Sequence, residues 1–512
     1  MSWDEGLGNF FFGERYFYYF TTFKEKYLDF NADLAGLRNQ PLKLFASPYR
    51  QRPFEFPPVA DTIAAAGMHI FSYKLHWIDP VDAFHATAIF FAAGLLLFLY
   101  AFIAPRLGRF TALLSIIFLG TFPRFWGDMH INVKDVPEAV LFSLTLMAYL
   151  VWFEKPRFTT ALLTGVLFGC ALGVKANALY IPLILVLGTW PLFSINGIGQ
   201  TIKHLAQNYL HYLLMVMSGI LTYLASWPYL FANWKRVFEY FQYIYSQGGR
   251  QGGPGWNWQP LQMVTATMPE VMLVFFLIGL VWVVNRTLRG KSPLWRLLLV
   301  WCLLPIILIS MPHMVNFDGI RHFLEFFPAA AVIAAVGASK FVRWIIAKHP
   351  NRRLLAHGIV LGLIFLNVAQ ITINYYPYEY IYFNGLVGGI SKAGNFFKSG
   401  EATDYWAVSY RQGMQWLDQN AEQHARLYVP VANWLVQLTG PLWLRSDIEV
   451  VSPQDVAEIH TSDAPVYVMF ITRPDFYDKE AQDCLQNLKP VHQVLVDHVP
   501  ILLIYRLPPQ NE

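Results

Sequence analysis

The sequence predicts an α-helical protein that crosses a membrane many times and ends in a small soluble α/β domain. Three observations predict it. Hydrophobic residues make up 55% of the chain and charged residues only 14%, against roughly 25% charged in an ordinary soluble protein. Apolar runs near the length of a bilayer crossing recur ten times. After about residue 376 the pattern changes to short β-type runs alternating with helical ones. The aromatic content of 17%, with 17 Trp, 27 Tyr and 41 Phe, suits rings lining two membrane interfaces.

The first 83 residues contain no clear span. Residues 10–20 hold eight aromatics in eleven positions, which predicts a helix lying in the interface plane. Residues 48–58, with Pro48, Pro53, Pro57 and Pro58, predict a rigid extended turn leading into an amphipathic helix over about 59–75. The ten spans are expected near 84–104, 110–124, 137–153, 158–174, 176–195, 208–227, 266–285, 293–311, 323–340 and 354–373. Several fall short of the ~20 residues a perpendicular crossing takes.

Basic residues orient the spans. One set of loops carries Arg106, Arg109, Lys155, Arg157, Lys203, Arg286, Arg289, Lys291, Arg296, Lys340, Arg343, Lys348, Arg352 and Arg353. The opposite short loops carry half as many. The positive-inside rule puts the richer set in the cytoplasm. Residues 1–83, the loop 124–138 and everything beyond about 374 are then expected outside, with the chain in the inner (plasma) membrane. An outer loop at 228–262 contains the glycine-rich stretch 248–255, a candidate flexible lid.

Beyond the last span, a helix is expected over 408–421 and strands at Arg426–Val431, Ile448–Val451, Val466–Ile471 and Gln493–Tyr505. No phosphate-binding glycine loop or nucleophile elbow occurs there, so this part reads as a docking or sugar-contacting module. The expected division is 1–83, 84–376 and 377–512. The net charge of +4 comes with no basic stripe, which argues against a nucleic-acid partner. Of the three cysteines, Cys170 and Cys302 sit in apolar spans and Cys484 lies far away, which argues against a disulfide framework or a cysteine metal site.

Chemistry is left to the outer loops, where three charged clusters stand. Trp3-Asp4-Glu5 is the first. The second is 124–138, which holds Arg124, Asp128, His130, Lys134, Asp135 and Glu138 where a mere connector needs only turn residues. Polar groups at membrane depth or its edge are expensive and tend to mark functional sites. The third is 314–322, with Asn316, Asp318, Arg321 and His322. Each also has a plain structural reading: a solvated hairpin for the second, and helix capping by Asn316 or Asp318 for the third.

In these stretches the chain resembles the GT-C membrane glycosyltransferases, specifically the protein O-mannosyltransferase and lipid A aminoarabinose transferase group (glycosyltransferase family 39). The resemblance covers almost the whole chain. It is carried by Asp4-Glu5 after Trp3, by the Pro57-Pro58 turn, and by Asn132, Lys134 and Asp135, with Val133 where the family often has Pro. Asp318-Gly319-Ile320-Arg321-His322, the segment Tyr378 to Asn384 and Asp404-Tyr405-Trp406 complete it. Phe56 replaces a histidine often found before the Pro-Pro turn, so no role is carried to that position.

The resemblance implies transfer of a sugar from a polyprenyl-phosphate donor to a hydroxyl of a protein, lipid or glycan at the outer membrane face. Asp4 would be the general base, and Glu5 would position its loop. Lys134 and Arg321, helped by His322, would neutralise the leaving phosphate, while Asp135 would orient Lys134 or a sugar hydroxyl. Lys175 and His130 are further candidates; Lys175 could equally snorkel to the interface and His130 could cap a turn. No nucleotide cofactor is called for, because the donor is already activated. Two other readings remain. A metal-dependent enzyme would use Asp4, Asp135 and His130 on Mg²⁺ or Mn²⁺. A transporter or flippase of lipid-linked sugars would show repeated halves and broken helices, of which the sequence gives no sign. In the resembling family an initial span precedes the acidic pair, so an apolar segment encoded upstream of Met1 is expected.

Overall fold

The computed structural model describes residues 1–30, 57–190, 195–250, 253–290, 292–314, 316–461 and 463–508. The proline turn expected over 48–56 lies outside them. Among the described residues each of the ten expected spans coincides with helix over most of its length; 191–194 of the fifth lie outside them. Six of these helices are long and apolar enough to cross a membrane: Pro80–Leu107, Asp135–Glu154, Tyr209–Ser226, Glu270–Leu288, Arg321–Lys348 and Pro350–Tyr375. Arg109–Gly120, Phe158–Leu172, Ala176–Thr189 and Pro293–Ile309 are shorter apolar helices.

Burial shows which faces meet protein and which meet lipid. In Asp135–Glu154 the most apolar stretch is 78% buried, whereas in Tyr209–Ser226 it is 17% and in Pro350–Tyr375 22% buried. Exposed side chains on the long helices include Leu97, Phe98, Val281, Phe365, Leu366 and Ile373. Large apolar side chains presented outward on long helices are stable only against a hydrocarbon solvent. This is a multi-pass membrane protein.

Two compact units divide the chain. One comprises 54–64 and 85–373; the other comprises 1–53, 65–84 and 374–512. In the first, small residues let helices touch. A Cβ built on Gly279 would lie 1.9 Å from the Ile333 carbonyl oxygen, and one on Gly337 1.9 Å from that of Phe275. Glu270–Leu288 and Phe327–Lys348 therefore cross with their backbones in contact.

The other unit contains the C-terminal domain, a five-stranded sheet of order β2-β1-β3-β5-β4. Its strands are β1 (Arg426–Tyr428), β2 (Glu449–Val450), β3 (Val466–Ile471), β4 (His492–Val496) and β5 (Val499–Arg506). β1 pairs parallel with β2 and β3; β5 runs antiparallel to β3 and β4. All six residues of β3 are buried, as a central strand covered on both faces requires. The single run expected at Gln493–Tyr505 is two strands, because Asp497 and His498 both take positive φ (46° and 64°) and fold it into a hairpin.

The aromatic segment near the start is also a helix, Phe10–Thr22, but its first half is not laid on an interface. Phe10, Phe11, Phe12, Glu14, Arg15 and Tyr16 are all buried. Phe10 stacks on Phe84 at 3.9 Å, and Arg15 donates to the carbonyls of Tyr27 and Lys26 at 3.0 and 3.1 Å. The expected outer loop at 228–262 is mostly helical: Pro228–Phe231, Trp234–Arg250 and the start of Gln259–Thr267. Trp234, Phe238, Phe241 and Tyr245 recur with the helical period, which explains it. Of the glycine-rich stretch, 251 and 252 lie outside the described residues.

Candidate active site

The loop 124–138 is built from two short-range devices. Pro123 opens a helix, Pro123–Asp128, at the position where a missing amide costs nothing. After it, Asn132 braces the start of the helix Asp135–Glu154: its Oδ1 accepts from the amides of Lys134 (3.2 Å) and Asp135 (2.8 Å). The same side chain returns a donor, Nδ2, to Asp135 Oδ2 at 2.9 Å. An asparagine three residues ahead of an aspartate thus fixes the aspartate's rotamer as well as the helix start.

Asp135, only 4% exposed, is surrounded by cations. Its Oδ1 accepts from Lys175 Nζ at 2.7 Å, and Oδ2 lies 3.8 Å from the Arg321 guanidinium. Lys175 sits in the turn before the short helix Ala176–Tyr180. Burial by itself would lower the pKa of its ammonium, but the carboxylates of Asp135, Glu325 and Glu138 outweigh that and hold it above the ordinary lysine value. Lys175 is therefore an internal cation rather than one that snorkels to the interface.

Lys134 turns the other way. Its Nζ donates to the Pro57 carbonyl (2.9 Å) and to Asp61 Oδ2 (3.4 Å), and Asp61 is fully buried. Asp135 accordingly meets Lys175 rather than Lys134, since Asn132 locks it in place and neighbouring side chains at a helix start diverge. The Pro57-Pro58 turn matters through its carbonyl and through the helix Val59–Met68 that it introduces.

The third cluster is a tight turn. Asp318 and Gly319 take positive φ in succession (55° and 75°), and Asp318 Oδ2 accepts from Arg321 at 3.1 Å. The Arg321 guanidinium also lies 5.2 Å from the Phe317 ring, against which His322 stands edge-on at 4.6 Å. The turn Arg321–Phe326 starts after Ile320, which supplies no side-chain cap. Asn316 Oδ1 and Nδ2 and His322 Nε2 are buried without a hydrogen-bond partner among the described residues. Nearby, Asn177 Nδ2 bridges the His322 carbonyl (2.8 Å) and Glu325 Oε1 (2.7 Å). Glu138 and Glu325 are 1% and 2% exposed.

Lys134, Asp135, Lys175, Arg321 and His322 thus belong to one polar region of one unit. Three cations are each fixed by a carboxylate: Lys134 by Asp61, Lys175 by Asp135, Arg321 by Asp318. His130 is held locally instead, its Nδ1 on the Trp126 carbonyl at 2.7 Å and its ring 5.1 Å from that indole. Asp4 and Glu5 belong to the other unit. Asp4 precedes the helical turn Glu5–Asn9, and the buried Glu5 carboxylate accepts from the Ser2 amide at 2.7 Å. The segment is anchored by Trp3, whose amide donates to the Trp406 carbonyl at 3.0 Å and whose ring packs on Trp434 and Phe476.

Sequence reasoning did not single out Asp61, Asn177 or Glu325. Asp61 did leave a signal: it is the lone charge in the helix Val59–Met68. Asn177 and Glu325 left none, because their role comes from meeting across about 148 residues of chain. A divalent metal does not fit at Asp135, since both its oxygens already face amide or cationic donors.

No protein-family model matches the chain, and no curated protein matches it. Among solved structures it is similar to ArnT from Cupriavidus metallidurans in the apo state, with 11% identity over 88% of each chain and a TM-score of 0.46. It is similar to the same protein bound to undecaprenyl phosphate, with 12% identity over 88% of each chain and a TM-score of 0.45. A third is the archaeal oligosaccharyltransferase AglB from Archaeoglobus fulgidus in complex with an inhibitory peptide and a dolichol-phosphate. There the identity is 12% over 81% of this chain and 61% of that one, with a TM-score of 0.44.

Proposed function

We propose that this protein is a glycosyltransferase that moves a sugar from a polyprenyl-phosphate donor to an acceptor hydroxyl at the outer face of the membrane. One observation carries this: a set of three cations, Lys134, Lys175 and Arg321, each immobilised by a carboxylate in a bundle whose outer surface is apolar. Fixed cations in a poorly solvated region stabilise charge that grows on a leaving phosphate, and they do so without reorganising. A lipid-borne donor suits a bundle that presents apolar helices outward. The motif order from Asp4 to Trp406 supports the same chemistry.

In this reading the acceptor oxygen attacks the anomeric carbon. The bond from that carbon to the phosphate oxygen breaks, and polyprenyl phosphate leaves with the electron pair. The resemblance assigns the acceptor proton to Asp4, and Glu5 accepts from the Ser2 amide. Lys134, Lys175 and Arg321 bear on the phosphate, with His322 Nε2 and the Asn316 amide open to sugar or phosphate oxygens. Asp135 serves as the anchor of Lys175. Family 39 membership, the inner membrane and the outward orientation of the site belong to this proposal, as does a protein, lipid or glycan acceptor.

The test is incubation of the purified protein with a panel of polyprenyl-phosphate sugars and acceptors. Release of polyprenyl phosphate that depends on an acceptor is expected; no release with any donor would reject the proposal.

A further inference from the structure

The end of the bundle that carries the excess of basic residues holds a charge cluster that the transfer reaction does not use. Its position follows from the glycine crossing. With Gly279 and Gly337 in backbone contact, one further turn brings Trp282 and Lys340 together. Lys340 Nζ lies 4.1 Å from the Trp282 ring centre, and the Arg286 guanidinium, one turn along the same helix, lies 4.8 Å from it. Trp295 closes the ring edge-on at 4.7 Å. Arg343 follows Lys340 by three residues in the helix Phe327–Lys348, on the same face.

The two positive charges over one indole, with a third a turn along the helix, repel one another. A ring face offsets part of that at about 0.5–1 kcal/mol per exposed contact, but it is not a counter-ion. Among the described residues no carboxylate is paired with Arg286, Lys340 or Arg343. The helix Phe327–Lys348 contains none, and the only one in Glu270–Leu288 is Glu270 at its far end. The neighbouring helices Arg109–Gly120 and Pro293–Ile309 contain none either. The acidic Glu154 is already paired with Arg106. Beside the cluster, Val281 and Leu288 are 72% and 82% exposed, an apolar flank of the kind an acyl chain covers.

We propose that Arg286 and Lys340 over Trp282, with Arg343 one turn beyond Lys340, form a binding site for the headgroup phosphate of an anionic phospholipid. The occupant is a lipid rather than free phosphate because the cations and the apolar flank lie on the same helix turns. Tryptophan is the residue that sits at headgroup level, and basic residues there meet the anionic leaflet. The site is independent of the sugar-transfer reading and stands if that reading fails.

The experiment is native mass spectrometry of the full-length protein, released from nanodiscs of phosphatidylglycerol and phosphatidylcholine mixed in equal parts. The wild type should retain phosphatidylglycerol in preference to phosphatidylcholine. The double variant Arg286→Gln/Lys340→Gln should lose about thirtyfold in that preference, taking roughly fivefold for each basic residue near an anionic surface. Arg352→Gln/Arg353→Gln, two charges from the same set of loops but outside the cluster, should retain it. Thermal melting of each variant confirms that it is folded. Equal retention of the two lipids by the wild type would overturn the proposal. So would unchanged preference in the folded double variant, or displacement of the lipid by millimolar inorganic phosphate.

Discussion

Replacing Lys175 by methionine removes the donor that lies 2.7 Å from Asp135 and leaves the carboxylate in place. The side chains of the pair are 20% and 5% exposed, so water can do little to resolvate what remains. Removing one partner of a buried pair costs about 3–5 kcal/mol. The lower end applies here, because Asp135 keeps Asn132 at 2.9 Å and Arg321 at 3.8 Å. The second replacement, Asp135→Asn, removes the charge that Lys175→Met strands. The double variant should therefore recover much of the loss, with a coupling of about 2 kcal/mol between the two sites. Thermal or denaturant unfolding of the four proteins in one detergent measures the cycle, and donor turnover is followed in parallel. A coupling within about 0.5 kcal/mol of zero would refute the idea that Asp135 holds Lys175, and with it the claim that the cation is prepositioned.

Other outcomes follow from the same geometry. The stability that Lys175 contributes is present below its unfolded pKa, near the ordinary 10.5, and is lost only as pH rises through the raised folded value. The gap between wild type and Lys175→Met should thus be flat from pH 6 to 9 and close above 10.5, as read by melting at each pH. Asp4→Asn should abolish sugar transfer while leaving melting unchanged; near-normal turnover would remove Asp4 as the base. Lys134→Ala and Arg321→Ala should each slow polyprenyl phosphate release at least tenfold, taking about 1.5–3 kcal/mol for a charge-assisted contact, and wild-type rates in both would point to other cations. A chelator should leave turnover intact, and loss restored by Mg²⁺ would favour the metal-dependent alternative. Gly337→Ala should lower stability by about 1–3 kcal/mol, since its Cβ would meet the Phe275 carbonyl oxygen at 1.9 Å; an unchanged melting point would show that the helices part freely.

Much of this protein is local and so could be read from the sequence. Apolar runs mark helices wherever they occur, because the backbone of a spanning segment must satisfy its own hydrogen bonds; among the described residues all ten expected runs are mostly helix. The strand Val466–Ile471 was legible because six buried β-formers in a row have few other uses. Lys134, Asp135, Asp318 and Arg321 stood out because charged side chains between apolar spans are costly, and Asn132 and Gly319 because the resemblance runs through them.

What the sequence left open depends on partners distant in the chain. Lys134 and Asp135 are neighbours, yet one answers to Asp61 and the other to Lys175, 73 and 40 residues away. Asn177 and Glu325 carry no local mark at all. The hairpin at Asp497-His498 escaped notice because neither residue is a glycine, and the buried half of Phe10–Thr22 because aromatics serve a membrane interface and a packed core equally well. Composition and periodicity determine which segments are helices and which loops carry charge. Only the tertiary structure decides which charge meets which, because a Coulomb contact a few ångströms long is set by helix packing and not by separation along the chain.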